Sequence, residues 1–278
     1  MSTNKNTIIS IVMPNYNCAR FLNESIESIL TQSFKDFEFI IIDDASTDNS
    51  WEIIQKYSKQ DKRIVALRNQ ENQKICKTLN RGIEMAKGSY IARMDSDDSA
   101  KQNWLEKIFN YMELPENKKV GVCGANFFII NEKGEQIGEK IFPESNDSCK
   151  KSFWYRNPFG HNTVLIRREC FSDFGFYDEN FLYAEDLELW IRFGQKYDLH
   201  NIQEFLVNYR IFGENSIFKK QKLMIKNTLK ARRKACEYGY SFGTKEIFFY
   251  AGTWMAQWLP AGLVFKIFSF LNKINAKR

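Results

Sequence analysis

A chain of 278 residues, 44% hydrophobic and 15% aromatic, carries enough apolar surface for one large α/β domain with an extension or for two small domains, and this composition excludes intrinsic disorder. Six cysteines without a CxxC pair read as reduced thiols of a cytosolic compartment, and with only His161 and His200 beside them they exclude a Cys/His zinc site. The net charge of +6 is unevenly spread: Ile217 to Arg278 holds 13 Lys or Arg against two Glu, which leaves residues 1–216 at −5. An acidic body on a basic tail implies two jobs, or else a solvated basic helix.

The N-terminus, MSTNKNTIIS, has one Lys, and its apolar run stops at Pro14, too short and too polar for a signal peptide. The body is therefore expected in the cytoplasm. Ile8–Pro14 is a near-continuous apolar run, as a strand buried on both faces requires. Leu22, Ile26, Ile29 and Leu30 place a helix over Phe21–Gln32, and Phe37–Asp43 (FEFIIID) is a second buried strand. Ser46 is placed to cap the next helix, which carries Trp51, Ile54 and Tyr57. Ile64–Leu67 is a third strand, Leu79, Ile83 and Ala86 mark a third helix that Gly88 is placed to end, and Tyr90–Met94 is a fourth strand. This alternation predicts an α/β fold with a doubly wound, mostly parallel sheet.

Further on, Val120–Ile130 reads as a strand, Asn131–Gly134 as a hairpin turn and Gln136–Phe142 as the returning strand. Asn162–Arg167 is another strand, Glu185–Tyr197 an amphipathic helix with Leu187, Trp190 and Ile191 inward, and Ile202–Arg210 a last strand. Ligands of doubly wound sheets bind beyond the carboxyl ends of the strands. Those ends carry Pro14-Asn15-Tyr16-Asn17, Asp43-Asp44-Ala45-Ser46-Thr47-Asp48 and Asp95-Ser96-Asp97-Asp98, three polar clusters on one sheet edge.

Carboxylates as close as Asp95, Asp97 and Asp98 repel unless a cation or proton intervenes. Oxygen-only ligands suit Mg²⁺ or Mn²⁺, which also bind diphosphates; a polar turn capping a helix is the plainer use. Tyr16 offers a stacking face for a base and Asp44 an acceptor for an imide or sugar hydroxyl, though a packed loop aromatic and a helix cap would look the same. Glu185 and Asp186 open a helix whose N-terminus favours their ionised form, which suits either a general base or an ordinary first-turn acidic pair.

The stretches Ser10 to Asn17 (SIVMPNYN), Ile42 to Asp48 (IDDASTD), Gly88 to Asp98 (GSYIARMDSDD), Phe176 to Glu179 (FYDE) and Glu185 to Trp190 (EDLELW) resemble, in order, the family 2 glycosyltransferases of the GT-A fold, over roughly residues 8–212. The resemblance implies an inverting, metal-dependent sugar transferase using Mn²⁺ or Mg²⁺. Pro14, Tyr16 and Asp44 would hold the nucleoside, usually uridine. Asp95 would lie by the ribose or sugar, Asp97 on the metal, and Asp186 would be the catalytic base with Glu185 beside it. Arg93 is similar to a subgroup that builds bacterial surface polysaccharides. The domains implied are a GT-A unit at 1–215, with a nucleotide-binding half at 1–98 and an acceptor half at 99–215, and a helical extension at 216–278. Where relatives carry Tyr-Arg-x-His, this chain has Tyr209-Arg210-Ile211-Phe212, which puts a histidine contribution in doubt. His161 could line the cleft or serve structurally.

In the tail, Lys219–Lys234 holds eight basic residues and no acidic one, and Ile247–Phe265 is uncharged, with Trp254 and Trp258 inside it and Lys266 and Lys273 after it. Such a segment suits an anionic membrane surface, lying in the interface rather than spanning, since Gln257, Pro260, Gly252 and Gly262 interrupt it. The expected location is thus peripheral on the inner face of the cell membrane. The expected partners are a nucleotide-sugar donor and a saccharide or polyprenyl-diphosphate-linked acceptor. Nucleic acid is not expected, because no nucleic-acid module accompanies the basic stripe. The alternatives are a non-catalytic nucleotide-sugar binding module, a receiver-like domain, and a metal-dependent nucleotidyltransferase, for which no Gly-rich basic phosphate loop follows the first strand.

Overall fold

The computed structural model describes residues 7–212, 217–241, 243–256 and 258. The first half runs β1 (Ile9–Asn15), α1 (Ala19–Leu30), β2 (Phe37–Asp43), α2 (Ser50–Gln60), β3 (Ile64–Arg68), α3 (Lys74–Met85) and β4 (Tyr90–Arg93). The four strands pair in parallel in the order β3-β2-β1-β4, with Asn15 opposite Asp43, so the carboxyl ends of β1 and β2 finish level. Every residue of β2 is buried. Its alternate side chains serve two cores: Ile40 and Ile42 join α3, while Phe39 and Ile41 join α1 and α2. That is why the strand sequence reads as a continuous apolar run rather than an alternation.

The second half runs β5 (Ser99–Ala100), α4 (Trp104–Glu113), β6 (Val120–Ile130), β7 (Gln136–Lys140), α5 (Asn146–Ser152), β8 (Leu165–Arg167), α6 (Arg168–Phe174), α7 (Glu185–Phe193) and β9 (Asp198–Arg210). The sheet continues from β4 through β8, β6 and β9 to β5, with β7 on β6. Here β4–β8, β8–β6, β6–β7 and β9–β5 are antiparallel and only β6–β9 is parallel. The expectation of a mostly parallel sheet therefore holds for the first half and is corrected to a mixed sheet for the whole. The segments between β6 and β9 include a hairpin and short returns, which reverse strand direction without a crossover helix.

Four local expectations also change. Ser46 does not cap α2: its hydroxyl accepts from the Asn17 backbone N–H at 3.0 Å and from Asn15 Nδ2 at 3.2 Å, tying the loops after β1 and β2 together. Gly88 does not end α3, which closes at Ala86; a Cβ at Gly88 would lie 2.5 Å from the Ser10 backbone nitrogen, so glycine is required there for close approach to β1. The predicted strand at Asn162–Arg167 is a 3-10 turn over His161–Thr163 followed by β8, and α7 is shorter than expected.

After β9 come α8 (Ile217–Glu237) and α9 (Thr244–Ala256). α8 belongs to the body: Ala231 and Ala235 are fully buried in the core that also holds α3 and α7. Arg232 Nε donates to the Phe153 carbonyl at 3.1 Å and its Nη1 to Thr253 Oγ1 at 2.9 Å, pinning both terminal helices. No helix among the described residues is long and apolar enough to cross a membrane. The apolar run beyond Trp258 to Phe265, with Lys266 and Lys273, lies outside the described residues.

Candidate active site

The loops after β1 and β2 form one wall. Asn17 and Ala45 adopt left-handed φ values of 52° and 59°, and Asn17 Oδ1 accepts from the Thr47 backbone at 2.8 Å, so the two loops brace each other. Pro14 lies at the end of β1, half-buried, and Tyr16 is 50% exposed. Asp44 is turned inward, 4% exposed, and accepts from Asn69 Nδ2 at 2.6 Å and from the backbone N–H groups of Gln73 and Lys74 at 2.8 and 3.0 Å. Asp43 lies deeper, accepting from Asn15 Nδ2 at 3.0 Å and pairing with Arg68 Nε at 3.1 Å. Of the sequence-predicted nucleoside residues, Tyr16 faces solvent and Asp44 anchors the 69–74 loop.

Asp95, Asp97 and Asp98 follow β4, each offering a carboxylate oxygen within 4.8 Å of the others. Their partners differ. Arg93 Nη1 donates to Asp95 Oδ2. Asp98 is buried, with Oδ1 taking the Arg210 backbone N–H at 2.7 Å and Oδ2 the Asn162 amide. Asp97 is left to point at the cluster, and burial and then the Asp95 charge push its pKa up to about 6. Asp98 is raised well above the usual carboxylate range by burial, Asp95 and Asp97. Three clustered oxygens, two of them on acids whose ionisation is opposed, fit a hard divalent cation, which would relieve that repulsion.

Arg210 fastens this loop. Its Nε donates to the Asp97 carbonyl at 2.9 Å and its Nη2 to Glu24 at 2.6 Å, and its guanidinium lies 4.6 Å from the Phe21 ring centroid. Phe212, standing where relatives carry histidine, packs on the same ring at 4.8 Å. Sequence reading noted the histidine's absence but missed the buckle made by Arg210.

Glu185 and Asp186 open α7 after two unusual backbone turns, Tyr183 at φ 64° and Ala184 at φ 153°. Such conformations cost about 1–3 kcal/mol each and persist where the surroundings impose them. Asp186 is partly buried; one oxygen takes the Leu187 N–H at 2.7 Å and the other the Asn157 amide at 2.5 Å. Burial and then the Glu185 charge push its pKa up to about 7. Nothing in the sequence pattern marked Asn157.

Buried Arg93 joins the two acidic groups: its positive charge favours the ionised forms of both Asp97 and Asp186. His161 lies on the 3-10 turn, its Nε2 2.7 Å from Tyr177 Oη and its ring edge-on to Trp190. Burial, with the Arg93 charge, holds it well below its usual pKa, hence neutral. It is both a satisfied histidine and a wall of the cleft. A cavity of about 390 Å³ is lined by Arg93, Asp95, Asn157 and His161 together with Lys140, Arg156, Phe127, Phe142 and Tyr209.

A curled mixed sheet with an acidic cluster at the end of its fourth strand defines the metal-dependent GT-A class of glycosyltransferase, enzymes that move a sugar from a nucleotide-sugar donor to an acceptor. Residues 10–186 match the family described as Glycosyl transferase family 2. A glycosyltransferase of Methanocaldococcus jannaschii, MJ1057, is 34% identical over 256 residues, 88% of this chain and 86% of that one. A candidate teichuronic acid biosynthesis glycosyltransferase of Bacillus subtilis, TuaG, is 30% identical over 220 residues, 77% of this chain and 83% of that one. Among solved structures, S. aureus TarS 1-349 in complex with UDP-GlcNAc superposes with a TM-score of 0.63 at 16% identity, covering 88% of this chain and 79% of that one. The mannosyltransferase PcManGT of Pyrobaculum calidifontis, in complex with GDP-Man and Mn²⁺, gives 0.64 at 14%, covering 95% and 79%. The chain belongs to glycosyltransferase family 2.

Proposed function

We propose that this enzyme is an inverting transferase that takes a sugar from a UDP-sugar and builds a cell-surface polysaccharide on a saccharide or polyprenyl-diphosphate-linked acceptor. The observation that carries this reading is that Asp95 of the acidic cluster and Asn157, which holds Asp186, line one cavity with Arg93, whose charge bears on both Asp97 and Asp186. Tyr16, Pro14 and Asp44 would receive the nucleoside, with Asp44 held in place by its bonds to the 69–74 loop. The base is assigned as uracil by family likeness and by TarS; PcManGT holds GDP-Man, so nucleotide choice varies within the fold.

Asp97 would hold Mn²⁺ or Mg²⁺, since Asp95 and Asp98 already have protein partners. Such an ion, when bound, neutralises charge on the leaving diphosphate. Asp95 lies nearer the sugar. Asp186 takes the proton from the acceptor hydroxyl, and a pKa of about 7 suits a base that must gain and lose a proton near neutrality. Glu185, through its charge, adds to the burial that raises that pKa. Attack from the face opposite the diphosphate inverts the anomeric centre.

We assign residues 1–98 to the donor, 99–215 to the acceptor, and 216–278 to attachment at the inner membrane face. Supporting the last is an exposed apolar surface on and after α9: Phe248 is 77% and Trp258 74% exposed, with Trp254 and Met255 beside them. Such aromatic surface suits a lipid interface. Flotation on anionic liposomes should fall in a Phe248→Ser, Trp258→Ser variant; unchanged flotation would remove this role. The transferase reading is tested by nucleoside-diphosphate release from a panel of nucleotide sugars, with Mn²⁺ and with chelator. Metal-dependent release from one donor, lost in Asp97→Ala, is expected. No release together with no nucleotide binding would refute it.

A further inference from the structure

We propose that Lys140 and Arg156 form an acceptor subsite for an anionic group, a phosphate or carboxylate carried close to the hydroxyl that is glycosylated. The proposal rests on the transferase reading above and names the substrate class of its acceptor. Lys140 ends β7, half-buried, with its ammonium 5.9 Å from the Phe142 ring centroid; Arg156 follows α5. Both line the cavity that holds Asp95, Asn157 and His161.

Other cations around the site are neutralised within the protein: Arg93 by Asp95, Arg210 by Glu24, and Lys234 by Asp178 and Glu188. Lys140 and Arg156 have no carboxylate partner among the described residues. The charge that bears on Lys140 is that of Arg156, of the same sign, and burial together with that charge lowers its pKa. Two like charges lining one cavity, one of them half-buried, repel, and each has only a distant aromatic ring beside it, Phe142 at 5.9 Å for Lys140 and Tyr155 at 6.0 Å for Arg156. A bound anion would reverse that balance.

The placement selects the acceptor over the donor. Arg93 pairs with Asp95 and Arg210 donates to the Asp97 carbonyl, whereas among the described residues neither Lys140 nor Arg156 makes a hydrogen bond or ion pair to Asp95, Asp97 or Asp98, although both share the cavity with Asp95. Arg156 is instead the chain neighbour of Asn157, whose amide holds Asp186. An anion gripped there brings its own molecule's hydroxyl toward Asp186. Phosphorylated glycans, uronate-containing glycans and diphosphate-linked lipids share this chemistry; a neutral glycan does not.

The test is calorimetric binding to the full chain in chelator, so that no metal recruits the probe. Four probes are compared: methyl glucoside, methyl glucuronide, glucose 1-phosphate and farnesyl diphosphate. The charged probes are expected to bind about tenfold or more tighter than methyl glucoside. A Lys140→Gln, Arg156→Gln variant should lose that preference while keeping Mn²⁺-dependent UDP binding, which also reports that it is folded; Lys140→Gln alone should lose part of it. Farnesyl diphosphate binding tighter than the sugar anions would identify a lipid diphosphate as the source, and equal binding a charged glycan; either supports the subsite. No charge preference in the wild type, a preference that survives the substitutions, or loss of UDP binding in Lys140→Gln would overturn it. Failure of the wild type to bind any nucleoside diphosphate with Mn²⁺, with the charge preference intact, would instead sink the transferase reading and leave the anion site standing.

Discussion

Replacing Asn157 with alanine isolates the base. The Asn157 amide donates to one oxygen of Asp186, and this bond favours the ionised carboxylate. A hydrogen bond to a charged group contributes about 1.5–3 kcal/mol, and one pKa unit corresponds to about 1.4 kcal/mol. Removing the donor should therefore lift the Asp186 pKa from about 7 by about one to two units. The sign follows from the charge: the variant holds its proton more tightly, the base is active only when ionised, and the acid limb of the pH–rate profile moves to higher pH. Turnover near neutrality should fall about tenfold or more, and most of it should return about two pH units higher. The Leu187 N–H still orients the carboxylate, so geometry is largely kept. The assay is kcat/KM for Mg²⁺-dependent donor hydrolysis across the pH range, with Asp186→Asn as the reference lacking the base. A loss of the same size at every pH would refute the reasoning, because Asn157 would then act by shape.

Three further outcomes are expected. Burial and Asp95 raise the Asp97 pKa from 3.8 to about 6, so the folded state binds more protons than the unfolded one across that window and stability falls as pH rises through it. Mn²⁺ should raise the melting temperature more at about pH 7.5 than at about pH 5 in calorimetry, and equal increments would contradict the assignment. Gly88→Ala drives a Cβ to 2.5 Å from the Ser10 nitrogen and 2.8 Å from the Ile9 carbonyl carbon, costing about 2 kcal/mol or more in urea unfolding, and a neutral result would mean β1 can shift. Lys234→Met leaves buried Glu188 with only Arg192 as an ionic partner among the described residues and should cost about 2 kcal/mol, since the ammonium is partly exposed, and lower kcat by loosening the helix that carries Asp186, while UDP binding stays unchanged.

The first half was legible in the sequence because its strands are largely buried and its polar clusters sit directly at their ends. FEFIIID marked β2 to the residue, and the Asp-Asp and Asp-Ser-Asp-Asp turns marked the loops that the structure places at the carboxyl ends of β2 and β4. The second half was less legible for physical reasons. Its strands are mixed in direction, and β8 is only three residues long, too short for a periodicity to show. Asn157, Asn162, Arg210 and Lys140 act through long-range contacts, and single polar residues in irregular segments have no local signature. The basic tail was read as a surface, yet Arg232 on α8 is 4% exposed and its helix joins the core; a run of cations conceals the small residues, Ala231 and Ala235, that do the packing.

The antiparallel turn of the sheet after β4 explains why residues 64 to 113 apart in the chain meet at the acidic loop. Because β8 runs back along β4, the 161–163 turn arrives beside the acidic loop, where Asn162 holds Asp98 and His161 meets Tyr177. Because β9 runs parallel to β6 and ends level with that loop, Arg210 reaches Asp97, Asp98 and Glu24 together. The first half of the chain thus supplies these carboxylates and the second half fixes their positions. Each isolated acidic motif is as compatible with a polar turn as with a metal site. It takes the shape of a site only when the second half of the sheet delivers the Asn162 amide and the Arg210 backbone N–H that hold buried Asp98 and the Arg210 guanidinium that clasps the Asp97 carbonyl, while burial and the Asp95 charge raise the Asp97 pKa.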